Sequence, residues 1–318
     1  MKIAILDDYA NQAISLADWS GLGDITVFQD TLTDPVALVA RLHGFEVLCV
    51  MRERTPLPAS LLHALPNLRL VVTSGPRNAS IDLAAAKACG VTVCSTESRK
   101  TTTSELAVLM MLALNRRLIP EVAGLNAGGW QTGLGRDLAG LRLGLVGLGT
   151  IGAQMVGFGR AFGMEVSAWS SNLSQSRCDE LGVARAASLH ALMEVSDVVS
   201  VHLVLSDRTR GLMDAAAFAA MKPGAVFLNT SRAPIHDAAA LLAGLRRGHP
   251  AMAGIDVFDT EPLPADDPLR DAELIDSGRL LLTPHLGYAT EATFRLFYSQ
   301  TAEAVRAFQS GAPIRVLA

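Results

Sequence analysis

Arg232, Glu261 and His285 each follow a short apolar run that reads as a β-strand: Ala225 to Leu228, Met252 to Val257 and Leu280 to Leu282. In a parallel sheet the carboxyl ends of the strands share one edge, and ligands collect there. The three side chains are therefore expected to converge. A planar guanidinium holds a carboxylate through two parallel hydrogen bonds. An imidazole passes a proton to or from an oxygen near neutral pH. A carboxylate beside it favours the charged ring and fixes its orientation. Each residue also has a plainer reading. Arg232 could cap its strand and pair with Glu261 or Asp237. Glu261, ahead of Pro262 and Pro264, could be an exposed acid in a rigid turn. His285, after Pro284, could be a hydrogen-bonded core histidine.

The stretch from Leu143 to Trp169 decides what such a set would serve. An apolar strand, Leu143 to Val146, breaks into Gly147-x-Gly149-x-x-Gly152, which opens a helix to about Phe162 before a second strand, Glu165 to Trp169. This is a βαβ unit carrying the dinucleotide fingerprint in its proper context. Gly147 permits the tight turn, Gly149 leaves room for a pyrophosphate, and Gly152 lets helix and strand approach. The amides of Thr150 and Ile151, at the helix start, face the phosphates. An acid usually follows the second strand and binds the ribose 2′-hydroxyl; here Ser170 stands in its place. A 2′-phosphate would meet no like charge there. Arg177 lies near enough in sequence to reach one, or is a solvated loop arginine. NAD and NADP both fit, with a lean to NADP or dual use. His202, after the strand Val198 to Val201, either covers the cofactor or packs. Asp256, inside a strand, is costly to bury unpaired, so it is expected to accept hydrogen bonds, the nicotinamide carboxamide being one candidate donor. With a nicotinamide to carry hydride, an arginine, a histidine and a carboxylate are the parts that interconvert a 2-keto acid and a 2-hydroxy acid.

Strands alternate with helices throughout, which implies an α/β fold with parallel sheets. In the first hundred or so residues the strands are Lys2 to Leu6, Val47 to Met51, Leu70 to Thr73 and Val91 to Cys94, and a helix opens at Asp34-Pro35. Two loops at strand ends there are chemically loaded: Arg52-Glu53-Arg54-Thr55-Pro56 and Ser74-Gly75-Pro76-Arg77-Asn78. A long apolar helix opening at Thr101 to Glu105, with the segment around Pro120 to Trp130, leads into the second domain. The last helix, about Thr290 to Gln309, is long enough to return to the first. At 318 residues the chain holds two domains of ordinary size. Its net charge of −4 and lack of basic runs argue against nucleic acid or anionic membrane as partner. Acids at Asp7 and Asp8 come too early for a signal peptide. Cys49, Cys89, Cys94 and Cys178 have neither CxxC spacing nor a disulfide framework, and no cluster has metal-ligand spacing. These features point to a cytoplasmic protein without a metal.

Four pieces occur in order: Val146 to Gly152, Asn229-Thr230-Ser231-Arg232, Asp256 to Pro262 and Thr283-Pro284-His285-Leu286-Gly287. With them the chain resembles the D-isomer-specific 2-hydroxy-acid dehydrogenase family over nearly its full length. The resemblance implies catalysis by Arg232, Glu261 and His285. It also implies that Asp256 holds the nicotinamide amide. With the reading of the residues above, the expected cofactor set is Gly147, Gly149, Thr150, Ile151, Gly152, Ser170, His202, Thr230, Asp256 and Gly287, and the expected substrate contacts are Arg52, Gly75 and Arg77. The resemblance also implies two Rossmann-like doubly wound domains with the active site in the cleft between them. The substrate domain would be discontinuous, residues 1–97 and 288–318; the NAD(P) domain, residues 98–287, would lie between and join a homodimer. Three positions depart from the family pattern. Ser170 replaces the acid. Pro76 removes one amide donor from the substrate loop, where backbone N–H groups usually hold the carboxylate, while Arg77 adds a cation that greets a second anionic group or salt-bridges a neighbouring acid. Ala233 replaces a glycine.

The resemblance implies an NAD(P)-dependent oxidoreductase of the glyoxylate/hydroxypyruvate type. The low aromatic content, 5%, argues against a large hydrophobic keto acid. A 3-phosphoglycerate dehydrogenase of the short form is the alternative, since the sequence stops at Ala318, just after the last helix. An NAD(H)-binding corepressor-like regulator without turnover is the alternative of another class.

Overall fold

Short runs of branched apolar residues, closed by polar or glycine-containing turns, are what a strand buried on both faces requires. The computed structural model, which describes residues 1–318, places them in two parallel sheets with helices on their faces. The chain divides into two units, Met1–Arg99 with Ala289–Ala318, and Lys100–Tyr288. Both are Rossmann-like.

The smaller unit contains β1 (Lys2–Ile5), β2 (Asp24–Val27), β3 (Val47–Val50), β4 (Leu70–Thr73) and β5 (Thr92–Ser95), ordered β2-β1-β3-β4-β5. The order reverses between β1 and β3, so the loops after β1, β3 and β4 surround the place where ligands of such sheets bind. Ala4, Leu48, Val50, Val71 and Val93 pack with Leu38, Leu42, Leu61 and Leu62 in one core. The helix Glu291–Gln309 buries Phe297, Tyr298, Thr301, Ala304 and Val305. The outer edge of β5 is covered by the chain end, where Leu317 N–H donates to the Val93 carbonyl at 2.7 Å. The strand β2 is absent from the sequence reading; it is a half-exposed edge, without the continuous burial of β3 and β4.

The larger unit has β6 (Arg142–Val146), β7 (Glu165–Trp169), β8 (Ala184–Arg185), β9 (Val198–Val201), β10 (Val226–Asn229), β11 (Met252–Ile255) and β12 (Leu280–Leu282), ordered β12-β11-β10-β9-β6-β7-β8. Successive residues feed opposite faces. Val199, Val201, Phe227 and Ile255 join Phe218 and Leu241 on one side. Val198, Val226 and Leu228 join Met110, Met111 and Leu114 on the other. Thr102–Asn115 is therefore a core helix of this unit, with Ala107 and Met111 fully buried. The register lines up Trp169, Val146, Val201, Asn229, Ile255 and Leu282 in one row across the sheet. Whatever follows these residues emerges along a single edge, at a spacing of about 4.8 Å per strand. No helix is long and apolar enough to cross a membrane.

Candidate active site

The strand order reverses at β6, and the glycine turn sits at that switch point. Gly147 has φ +106°, and a Cβ there would run into the His202 carbonyl oxygen. A Cβ on Gly152 would collide with the Gly147 carbonyl oxygen, so helix and turn meet backbone to backbone. At Gly149 a Cβ would meet nothing within 4 Å; the space over the turn is open. The helix Thr150–Ala161 begins here with Gly149 as N-cap and no side-chain cap. The amides of Thr150 and Ile151, in its first turn, have no intrahelical acceptor. Two buried polar atoms on this edge also lack partners, His202 Nδ1 and Thr230 Oγ1. The His202 ring meets Ser200 Oγ through Nε2 at 2.9 Å, and burial pushes its pKa down to about 4, so the ring is neutral. An open glycine turn, free helix-start amides and orphaned buried atoms fit a dinucleotide, whose phosphates and polar groups would complete them.

The next strand ends carry the reactive set. Asn229, the last residue of β10, is fully buried and its amide organises the Arg232 turn. Its Oδ1 accepts from Ser231 N–H at 2.9 Å, which fixes which end of the amide is oxygen. Its Nδ2 then donates to the Arg232 carbonyl and to His236 Nδ1, both at 3.0 Å. Arg232 Nη1 donates to the Ser231 carbonyl at 2.8 Å. The turn continues as a 3-10 helix, Ala233–Ile235, with Arg232 at φ −145°. Ala233 in place of glycine is compatible with this geometry, since the positive-φ residues do not include it.

His236, given no role by the sequence reading, is thus a buried neighbour of the Arg232 turn, 5% exposed. Desolvation pushes its pKa down to about 4. Its Nδ1 must be the acceptor, because Asn229 Nδ2 can only donate. Nothing in the sequence pairs it with Asn229; only the 3-10 turn between them does.

Beyond β11 and β12 lie Glu261 and His285. The Glu261 carboxylate holds His285 Nδ1 with both oxygens, at 2.7 and 3.0 Å, and its Oε1 also accepts from Phe258 N–H at 2.9 Å. Nδ1 is thus the ring nitrogen that Glu261 holds and orients. His285 adopts φ +53°, the left-handed region, which histidine visits more often than most residues. The turn is held from below by Asp256. Its Oδ1 accepts from Thr283 Oγ1 and Leu286 N–H, both at 2.6 Å, and its Oδ2 from Gly287 N–H at 2.9 Å. Burial raises the Asp256 pKa, while these donors and the neighbouring His285 act against that rise. Gly287 is engaged on both sides, its carbonyl accepting from Thr102 Oγ1 at 2.8 Å and Thr103 Oγ1 at 3.0 Å. Tyr288 sets its ring against that of His285, centroids 5.4 Å apart and nearly perpendicular.

At the edge of the smaller unit the structure corrects one expectation. The Gly75 N–H does not face outward for a ligand; it donates to Thr96 Oγ1 at 2.7 Å, because β5 lies next to β4. Ser74 N–H is likewise taken, by the Val50 carbonyl at 3.0 Å. Gly75, at φ +85°, provides space instead: the Arg52 guanidinium occupies the place a Cβ would take. Asn78 ties the two loops together by donating to the Arg52 carbonyl and Thr73 Oγ1. Arg77 is exposed. Arg177 forms an ion pair with Glu180 at 2.6 Å, and Ser170 accepts through its carbonyl from Leu173 N–H at 3.1 Å. No group of three or more His, Cys, Asp or Glu side chains is placed to hold a metal ion.

Two parallel doubly wound sheets, one carrying a dinucleotide turn beside a histidine–carboxylate pair and an arginine turn, define a class of nucleotide-dependent oxidoreductase folds. Residues 108–287 match the model of the D-isomer specific 2-hydroxyacid dehydrogenase, NAD binding domain. The chain belongs to the D-isomer specific 2-hydroxyacid dehydrogenase family. It is 33% identical to a D-3-phosphoglycerate dehydrogenase of Bacillus subtilis over 86% of its own length and 51% of that protein's. The chain thus spans about half the length of the first curated relatives it matches. It is 31% identical to a glycerate dehydrogenase of Methylorubrum extorquens, over 91% of this chain and 90% of that protein. Among solved structures, a phosphoglycerate oxidoreductase from Vibrio cholerae superposes with a TM-score of 0.91 at 37% identity, covering 98% of this chain and all of that one, 100%.

Proposed function

We propose that this protein is an NAD(P)-dependent oxidoreductase that interconverts a small 2-keto acid and its D-2-hydroxy acid, of the glyoxylate/hydroxypyruvate type. The observation that carries the reading is the His285–Glu261 pair, with a 2.7 Å contact, on the same sheet edge as the glycine turn and Arg232. The Arg232 fork binds the substrate carboxylate and draws charge from the adjacent carbonyl. His285 gives the carbonyl oxygen its proton from Nε2 in reduction and takes it back in oxidation. Glu261 holds Nδ1 and stabilises the ring while it is charged. Asp256 keeps the His285 turn in place. A bound nicotinamide supplies or accepts the hydride. Thr230 and His202 complete their hydrogen bonds on that cofactor.

A second reading, oxidation of a 3-phosphoglycerate-like substrate, draws support from the names of the relatives in Bacillus subtilis and Vibrio cholerae. One experiment separates the two. NADPH and NADH oxidation is followed with glyoxylate, hydroxypyruvate, pyruvate, 2-ketoglutarate and 3-phosphohydroxypyruvate. Turnover of the small keto acids supports the first reading, turnover of the phosphorylated one alone supports the second, and cofactor binding with no turnover would support a regulator instead.

The working form in this reading is a homodimer. The helix Leu118–Asn126 buries none of its residues in its own chain and exposes Leu118, Ile119, Val122 and Leu125. Trp130 is 78% exposed and Leu134 93%. A helix this short is not stable without packing, and a second copy covering the same patch is the symmetric solution. The free cysteines, of which Cys49, Cys94 and Cys178 are buried, accord with the reducing cytoplasm.

A further inference from the structure

The turn at the carboxyl end of β7 is where the adenosine ribose of a dinucleotide would sit, and its charge is uneven. From Ser170 to Ser174 it reads Ser-Ser-Asn-Leu-Ser, without a carboxylate. Two arginines border it, and the structure treats them differently. The Arg177 guanidinium is spent: Nη1 pairs with Glu180 at 2.6 Å, and Nε points at the Leu148 carbonyl of the glycine turn at 3.5 Å. Arg208 comes from the loop after β9, two strands away in the sheet. Its Nη1 donates to Asn172 Oδ1 at 3.3 Å, a long bond to a neutral group, and it forms no ion pair. Its loop is built rather than slack. Thr209 Oγ1 accepts from Ser206 N–H at 2.8 Å and donates to the Val204 carbonyl at 2.9 Å.

We propose that Arg208, with the hydroxyls of Ser170 and Ser171, forms a subsite for an adenosine 2′-phosphate, so that the chain takes NADP(H) in preference to NAD(H). This rests on the dinucleotide reading above and refines it. A phosphate dianion offers the two oxygens that a guanidinium fork needs, and it outcompetes a single amide oxygen at 3.3 Å. Asn172 aims the guanidinium at the turn. An acid at position 170 would repel the phosphate; Ser170 instead offers it a donor. The sequence alone left Arg177 open as a phosphate contact or a solvated loop arginine; its partner Glu180, one helical turn away, already neutralises it.

The test measures binding to the intact chain by calorimetry, with no turnover needed. The probes are NADP⁺ against NAD⁺, and adenosine 2′,5′-bisphosphate against 5′-AMP. The wild type binds the 2′-phosphorylated member of each pair more tightly, and added salt weakens that member more. Arg208→Gln loses about 10–100-fold in affinity for NADP⁺ and the bisphosphate, the range for a charge-assisted hydrogen bond, and much less for NAD⁺ and 5′-AMP. Arg177→Gln retains the preference. An unchanged NADP⁺/NAD⁺ ratio in Arg208→Gln, a preference abolished by Arg177→Gln instead, or a wild type that prefers NAD⁺ would each overturn the subsite while leaving the dinucleotide reading intact. Binding of neither dinucleotide would overturn both.

Discussion

His236 gives a prediction whose size follows from the structure. In the fold its pKa is pushed down to about 4, first by desolvation; in the unfolded chain it returns to about 6.5. Between these values the unfolded chain binds a proton that the fold does not. Stability from this group is therefore complete above about pH 6.5 and is lost as pH falls toward 4. Linkage gives a loss of roughly 2 kcal/mol between pH 7 and pH 5, and about 3 kcal/mol once both states are protonated. The structural cause is local. Protonation would place a second donor at Nδ1 opposite Asn229 Nδ2, 3.0 Å away. The assay is urea unfolding of the wild type and His236→Leu at pH 7 and pH 5, following the fluorescence of the three tryptophans, Trp19, Trp130 and Trp169. His202 titrates in the same direction, but it is present in both proteins and cancels in the double difference. The variant is expected to lose roughly 2 kcal/mol less than the wild type over that interval. An equal loss in the two proteins would falsify the assignment of a buried neutral His236. His236→Gln supplies an acceptor without titrating. It is expected to keep the wild-type KM for keto acid, while His236→Leu raises it by loosening the Asn229 amide that holds the Arg232 turn.

The remaining predictions concern the edge of the same sheet and the exposed helix. His285→Ala retains dinucleotide affinity and loses roughly 10²–10⁴-fold in turnover, read by stopped-flow at 340 nm; near-normal turnover would remove it from proton transfer. Arg232→Lys raises the keto-acid KM and lowers turnover, since an ammonium lacks the planar fork; wild-type kinetics would put carboxylate anchoring elsewhere. Gly152→Ala drives a methyl into the Gly147 carbonyl and costs about 1–3 kcal/mol, so it lowers both Tm and dinucleotide affinity; a protein unchanged in both would contradict the close packing of helix on turn. Val122→Glu places a charge within the apolar face of Leu118–Asn126 and shifts the proposed dimer toward monomer in light scattering; a wild type that is monomeric, or a variant of unchanged mass, would move the interface off this helix.

What could be read from the sequence and what could not separate along a physical line. The strands β3, β4, β9 and β10 are buried at every position, and a continuous apolar run announces that. The edge strand β2 alternates exposed and half-buried residues, and β8 is two exposed residues long; neither has a signal above a loop. Residue types at strand ends were legible because parallel topology forces them to one edge. Which donor meets which acceptor was not, because that depends on neighbours set by strand order. Gly75 loses its N–H to Thr96 only because β5 lies beside β4. Arg208 reaches Asn172 only because their loops follow strands on either side of β6.

Asp256 shows how much that difference matters. It lies just past the end of β11, not inside the strand as the sequence suggested; its full burial requires hydrogen bonds for the carboxylate, and the nicotinamide carboxamide was a natural candidate donor. The two oxygens already receive Thr283 Oγ1 and the amides of Leu286 and Gly287. All three donors belong to the segment that carries His285. A cofactor amide reaching Asp256 would have to share an oxygen with them or displace one. The carboxylate is thus a buttress for a histidine held at φ +53°, a conformation that persists only where its surroundings enforce it. Loss of Asp256 would act on proton transfer through the His285 turn, whether or not the cofactor touches it.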